Sequence, residues 1–358
     1  MKAAVWYGRK DVRIEEVPEP QVKPGCVKIK ISWCGICGSD LHEYVSGPVA
    51  IPVEKPHPLT GHVAPTILGH ELSGVVTEVG EGVKNLKVGD RVVTEATVAC
   101  LECPACKAGR YNICDKLAIH GIHDDGGGLC EYTVFPEQFT HKIPDELSLE
   151  RACLVEPISC GFHAMVNGGF QPGMVAVVMG AGPIGLGVIE SLKASGARMI
   201  IAVVRKSVRQ QYAIRSGADV LLDPTECDVG AEVYRLTGGR GADIAFETFG
   251  ADVGIELGFK SLRYNGMLVV ISLWEKPPTI EMMNVVMAEK RMTGSSIYLG
   301  NDFDTVIQML TDGRIPANGY ITKRITLDDV VTEGFETLAG PEKKQHVKII
   351  VTPDASLL

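Results

Sequence analysis

The run Val175-Ala176-Val177-Val178-Met179 enters Gly180-Ala181-Gly182-Pro183-Ile184-Gly185 and leaves it as a helix-compatible segment. This junction constrains the fold more than any other stretch of the chain. A continuous apolar run bounded by glycine reads as a strand buried on both faces. Gly180 permits the tight turn out of it, Gly182 lets a ligand approach the backbone, and Gly185 allows close packing of helix on strand. Downstream, Met199–Val203, Asp219–Leu222, Ile244–Glu247 and Gly266–Ile271 repeat the strand texture, with helix-compatible stretches between them. The alternation predicts an α/β architecture with a doubly wound parallel sheet.

Before about Glu156 the texture differs. Short β-branched runs such as Val27–Ser32, Gly74–Val79 and Asp90–Val93 are punctuated by Gly and Pro, and their alternation predicts a β-rich, barrel-type domain. The proline-bearing stretch Ser46–Thr66 reads as a loop. After about Gly313 short strands return, ending in Val347–Val351. The expected organisation is therefore a β-rich domain over residues 1–155, completed by 313–358, around a Rossmann-like domain over 156–312. A chain of 358 residues is long enough for two cores, and 40 glycines with 6% aromatics suit an α/β enzyme.

The net charge of -9, without a basic tail, gives no footprint for nucleic acid or an anionic membrane. The opening MKAAVWYGRKDVRIEE lacks the apolar core of a secretory signal. No apolar stretch reaches the ~18 residues that would span a bilayer. The expected location is cytoplasmic, and the 11 cysteines are read as ligands or core thiols of a reducing compartment.

In its βαβ setting the glycine junction reads as a dinucleotide site, with Gly180, Gly182, Pro183, Ile184 and Gly185 at the phosphates and a helix N-terminus facing them. The acid that usually holds the adenosine ribose stands ~20 residues on, at the end of the second strand. Here Val204 takes that slot, followed by Arg205, Lys206 and Arg209. A neutral slot beside cations suits a 2′-phosphate, which favours NADP(H) over NAD(H). The alternative is that these cations only begin a solvated helix.

Cys100-x2-Cys103-x2-Cys106-x7-Cys114 supplies four thiols at the spacing of a closed, structural zinc site. A second set is dispersed: Cys37, Ser39, Asp40 and His42 in CGICGSDLH, His70-Glu71 after Gly69, and Glu156-Pro157. A catalytic zinc needs three protein ligands and one open position. Taken singly, Cys37 could be a core thiol, His70 a satisfied core histidine and Glu156 a helix cap.

With CGICGSDLH, GHE, the four-cysteine cluster, Glu156-Pro157 and Gly180–Gly185 in this order, the chain resembles the zinc-dependent medium-chain alcohol and polyol dehydrogenase superfamily over nearly its whole length. It is most similar to the sorbitol and (R,R)-2,3-butanediol dehydrogenase branch, and Pro52-Val-Glu-Lys-Pro-His-Pro58 resembles the butanediol enzymes in particular. The resemblance implies a GroES-like catalytic domain for the β-rich part. It also implies two zinc ions per chain, one catalytic and one structural, and a homo-oligomer, dimer or tetramer. Cys37 and His70 would bind the catalytic zinc, with Glu156 joining directly or through water. Glu71 would be a neighbouring carboxylate able to exchange onto the metal, and Ser39 and His42 would form a proton relay. Asp40 would orient His70. Val204 with Arg205 departs from the acid that NAD-dependent members carry.

The implied reaction moves a hydride between NADP(H) or NAD(H) and a small secondary alcohol or vicinal diol of the (R,R)-2,3-butanediol/acetoin kind. The alternatives are the same chemistry on a larger secondary alcohol or ketone, and a non-catalytic zinc- and dinucleotide-binding protein. Set aside are His57 and His62 as surface loop histidines, and Cys26, Cys34, Cys130, Cys153, Cys160 and Cys227 as structural. Gly126–Gly128 is read as a turn, and Met282–Met287 as core.

Overall fold

In the computed structural model, which describes residues 1–274 and 276–358, the strand Cys26–Gly35 is the spine of the first of two units. It pairs antiparallel with Glu71–Val79, Tyr132–Pro136 and the C-terminal strand Lys348–Thr352. The sheet runs Thr140–Lys142, Arg91–Thr94, Glu71–Val79, Cys26–Gly35, Lys348–Thr352, Ile321–Thr326. Val27, Ile29 and Ile31 point to one face and join Trp6, Leu68, Leu72, Val76 and Phe135 in a single core. A smaller sheet places Lys2–Gly8 between Asp11–Glu16 and Thr66–Ile67. Trp6 is wholly buried, and its indole N–H donates to Glu43 O at 3.0 Å, so no polar atom is stranded.

This unit comprises Met1–Glu156, Leu299–Thr311 and Ile321–Leu358, and the other Pro157–Tyr298 and Asp312–Tyr320. The single return near residue 313 expected from the sequence becomes two returns. The helix Gly300–Thr311 buries Phe303, Val306, Ile307 and Leu310, and Asp304 meets His141 Nδ1 at 2.7 Å, which ties it to the first unit. The next segment belongs to the second unit, where Ala317 N–H donates to the buried Glu190 carboxylate at 3.2 Å.

The second unit holds a six-stranded parallel sheet ordered Val220–Leu222, Met199–Val203, Val175–Met179, Ala242–Glu247, Leu262–Val270, Arg291–Gly294. Numbered along the chain from Val175, that order is 3-2-1-4-5-6, which reverses direction beside Val175–Met179 and opens a crevice at the carboxyl ends of the strands. Every residue of Val175–Met179 and Ala242–Glu247 is buried, because crossover helices cover both faces. Two features differ from expectation. The run Met282–Met287 is not core: Met282, Met283, Val286 and Met287 are each more than half exposed on a short helix. Arg291–Gly294 forms the sheet edge although its sequence carries no apolar alternation.

Candidate active site and metal centres

The four cysteines lie in a lobe of the first unit. Cys103 caps the short helix Pro104–Lys107, and Leu101 before it takes a left-handed φ of +59° that folds the chain back. The ligand atoms of Cys100, Cys103, Cys106 and Cys114 all lie within 4.8 Å of one another. Among the described residues no other group of three or more His, Cys, Asp or Glu side chains closes so tightly. Backbone N–H groups of Cys100 and Lys116 point at Cys114 Sγ at 3.4 Å, and Cys106 N–H at Cys103 Sγ at 3.5 Å. Backbone N–H groups of Asp115 and Cys106 pull the Cys103 thiol down to about 6. Four thiols drawn together, with backbone donors aimed at the sulfurs of Cys103 and Cys114, fit a tetrahedral zinc.

Elsewhere in the unit, Cys37 stands at the N-cap of the helix Gly38–Ser46. Its backbone N–H donates to Asp40 Oδ2 at 2.9 Å, while Gly69 N–H donates to Asp40 Oδ1 at 3.2 Å. Asp40 thus locks the cap of one segment to the turn that presents His70. His70 is 3% exposed, its Nδ1 lies 3.7 Å from Asp40 Oδ1, and its Nε2 lies 3.3 Å from Ser39 Oγ. Burial pushes the imidazole down, but Asp40, Cys37 and Glu156 outweigh it and hold it well above its ordinary value. Cys37 is within hydrogen-bonding reach of that ring, and Glu156, buried in the first turn of Val155–Asn167, adds its charge. The three ligand candidates face one another more loosely than the four cysteines do. A thiol, an imidazole and a carboxylate, with a buried His70 Nδ1 lacking a hydrogen-bond partner but directed at Asp40, are a donor set that fits a catalytic zinc. Ser39 and His42 are both half-buried and lie one turn apart on the same helix.

Glu71 is otherwise engaged. Both of its oxygens lie 2.6 Å from Lys348 Nζ, and the two side chains are 1% and 2% exposed. Lys348 also donates to Ile36 O at 3.1 Å. Burial pushes the Lys348 ammonium down, but Glu71, then Cys37, outweighs it and raises its pKa. This lysine was missed from sequence because it sits in an otherwise apolar strand. Histidines 57 and 62 are half-buried rather than free on the surface: His57 stacks on His123 with centroids 4.7 Å apart, and His62 Nε2 lies 2.8 Å from Thr66 Oγ1.

In the second unit Gly180 has a φ of +104°, and a Cβ there would come within 2.6 Å of Thr248 Oγ1. Gly185 lies against the Gly180 carbonyl, so a side chain would push helix from strand. Gly182 caps the helix Pro183–Ala194, and a Cβ on it would meet nothing closer than Arg209 Nη1 at 4.0 Å. That open backbone, ahead of a helix N-terminus, is the cradle a pyrophosphate requires. Arg209 therefore reaches the glycine loop itself. Val204 is 6% exposed, with Arg205 and Lys206 exposed beyond it. Asp223, at the end of the neighbouring strand, was not singled out from sequence, yet it accepts the Lys206 N–H at 2.7 Å.

Residues 23–145 match the alcohol dehydrogenase GroES-like domain family, and residues 183–312 the zinc-binding dehydrogenase family. The (R,R)-butanediol dehydrogenase of Bacillus subtilis (strain 168) is 45% identical over 99% of this chain and 100% of its own. The crystal structure of the 2R,3R-butanediol dehydrogenase from Bacillus subtilis superposes with a TM-score of 0.92, covering 99% of both chains at 45% identity. A zinc-binding dehydrogenase structure from Sinorhizobium meliloti 1021 bound to NADP has a TM-score of 0.87 at 27% identity, covering 98% of this chain and 99% of that one. The chain belongs to the zinc-dependent medium-chain alcohol dehydrogenases, oxidoreductases that act on CH–OH groups.

Proposed function

We propose that this enzyme interconverts a small vicinal diol and its hydroxyketone, of the (R,R)-2,3-butanediol/acetoin kind, using NADP(H) in preference to NAD(H). The observation that carries the chemistry is the assembly on His70: Asp40 behind Nδ1, Ser39 at Nε2, and Cys37 and Glu156 around the ring. Cys37, His70 and Glu156 would hold the catalytic zinc, and Cys100, Cys103, Cys106 and Cys114 the structural one, two ions per chain. When bound, the catalytic zinc supplies a Lewis acid for the substrate oxygen, and the nicotinamide ring accepts or gives the hydride.

The chain's own residues do the rest. Asp40 fixes the imidazole plane so that Nε2 faces the substrate side. Ser39 Oγ takes the substrate hydroxyl proton and hands it toward His42, one helical turn on and half-buried. Lys348 holds Glu71 in a two-oxygen ion pair, so this carboxylate is a reserve donor rather than a resident ligand. The butanediol assignment is supported by the 45% identical relative and by the loop Pro52–Pro58. The coenzyme assignment is supported by Val204, Arg205 and Lys206. Eleven free thiols fit a reducing cytoplasm.

We also infer a homo-oligomer. Tyr264, Met282, Met283, Val286, Met287 and Met292 are exposed beside the edge strand Arg291–Gly294, and a second copy would cover them.

Initial rates with butanediol stereoisomers, acetoin, sorbitol and xylitol, each with both coenzymes, test the reading. The expected result is butanediol and acetoin turnover with NADP(H), abolished by chelation and restored by zinc. Turnover of none of them by zinc-loaded protein would redirect the assignment to a larger secondary alcohol or ketone.

A further inference from the structure

Asp223 lies buried at the carboxyl end of the strand Val220–Leu222, beside the turn that leaves Met199–Val203. One oxygen accepts the Lys206 N–H at 2.7 Å. The other accepts the Thr225 N–H at 2.8 Å and the Thr225 hydroxyl at 2.6 Å. The turn is pinned at two further points. Val204 N–H donates to Leu222 O at 2.9 Å, and Gln210 Nε2 donates to Val204 O at 3.0 Å. The Lys206 N–H falls between a strand and a helix, where among the described residues no backbone carbonyl partners it, so the carboxylate does.

On this fixed turn the side chains of Arg205 and Lys206 are exposed. Among the described residues neither side chain makes a hydrogen bond or an ion pair with the chain. Two adjacent cations that no protein carboxylate hydrogen-bonds, Arg205 feeling Asp223 only through its field, on a backbone held still from behind, suit a dianion, because little freedom is lost when it binds. The Asp223 charge itself is satisfied by three donors. The Thr225 hydroxyl, then the backbone N–H groups, hold the carboxyl below its usual range.

We propose that Asp223 is a positioning residue for coenzyme recognition: it sets the 204–207 turn so that Arg205 and Lys206 together engage a phosphate on the adenosine 2′-oxygen. This rests on the NADP(H) reading above and extends it to an acid that acts from behind the turn. An acid near the ribose ordinarily binds the 2′-hydroxyl and repels a 2′-phosphate. Asp223 has the opposite effect here, because its acceptors face the backbone.

The test is calorimetric titration of the full-length enzyme with adenosine 2′,5′-bisphosphate and with 5′-AMP. It compares wild type, Arg205→Ala, Asp223→Asn and Asp223→Ala. We expect wild type to bind the bisphosphate at least about tenfold more tightly than AMP. Arg205→Ala should remove most of that ratio. Asp223→Ala should lower it by about tenfold with AMP affinity unchanged, and Asp223→Asn, which keeps one acceptor oxygen, should lie between. Unchanged AMP binding reports an intact nucleotide fold; if Asp223→Ala loses it, Asp223→Asn decides. A full ratio in both Asp223 variants with Arg205→Ala impaired overturns the role of Asp223 and leaves the NADP(H) reading standing. A ratio that rises in Asp223→Ala identifies a repelling acid and overturns the proposal. A wild type that does not discriminate overturns the coenzyme reading and this inference together.

Discussion

Lys348 sits in Val347-Lys348-Ile349-Ile350-Val351, where every neighbour is apolar, and its ammonium is 2% exposed. Such a charge survives burial only because Glu71 and the Ile36 carbonyl face it. Removing one partner leaves the other charge alone in the same place. Lys348→Met should therefore cost about 3–5 kcal/mol of folding stability, read from urea denaturation of zinc-loaded protein. The double variant Lys348→Met/Glu71→Gln should recover most of that loss, since no charge is left stranded. If the double variant were no more stable than Lys348→Met, the pair would not be the source of the effect. The same substitution releases Glu71 from its clamp. An altered visible spectrum of the cobalt-substituted protein would report a changed ligand field at the Cys37 site.

At the scale of elements, the cysteine lobe is tied to the sheet by one polar network. Tyr111, three residues before Cys114, donates its hydroxyl to Glu95 at 2.9 Å and accepts the Gly300 N–H at the start of the helix Gly300–Thr311. Glu95 also receives His141 Nε2 at 2.9 Å, and His141 Nδ1 meets Asp304 at 2.7 Å. Burial pushes His141 down, but its hydrogen bonds to Asp304 and Glu95 outweigh it and lift it to about 9. A histidine raised on folding contributes stability that is fully present below its unfolded pKa of about 6.5 and is lost as pH rises through about 9. The expected cost between those limits is about 3 kcal/mol, measured as a fall in the urea midpoint that His141→Gln abolishes. Chelation of the four-cysteine site should free Tyr111 as well. Protection of the 95–114 amides from hydrogen exchange should then drop, while that of Val175–Met179 is retained. The elements legible in the sequence were those whose signal is local: the glycine junction, the cysteine spacing, and the strands Val175–Met179 and Met199–Val203. What escaped was contact across the chain. Glu71 and Lys348 are 277 residues apart, and Lys206 and Asp223 are 17 apart, past the ends of two neighbouring strands. Neither pairing leaves a periodicity. The apolar character of Met282–Met287 was plain, but apolarity alone does not say what covers a side chain.

For the whole molecule, that uncovered face carries a consequence. The helix Met282–Val286 and the strand Arg291–Gly294 border a depression lined by Tyr264, Asn265, Val286, Met287, Ala288 and Glu289. Among the described residues Arg291–Gly294 pairs with Leu262–Val270 on one side only; the Gly294 carbonyl accepts from Asn167 Nδ2 at 2.8 Å, and the strand still presents a sheet edge on which another strand could add. Two copies related by a twofold axis present this same edge to each other in opposite directions, so the strands would pair antiparallel and the methionines of each would cover those of the other. The edge charge Arg291 and the short strand limit open-ended growth, which favours closure at a pair. Sedimentation equilibrium should therefore find dimers, or dimers of dimers, at micromolar concentration. Val286→Asp/Met287→Asp places two carboxylates on that face in each copy, four where the copies meet. Burying them unpaired would weaken association by several kcal/mol, on the order of 10³-fold in dissociation constant. The Gly180–Gly185 loop lies at the carboxyl ends of the central strands, apart from that helix, so dinucleotide binding should persist in the dissociated variant. A wild-type protein that sediments as a monomer would leave this apolar face for a different partner.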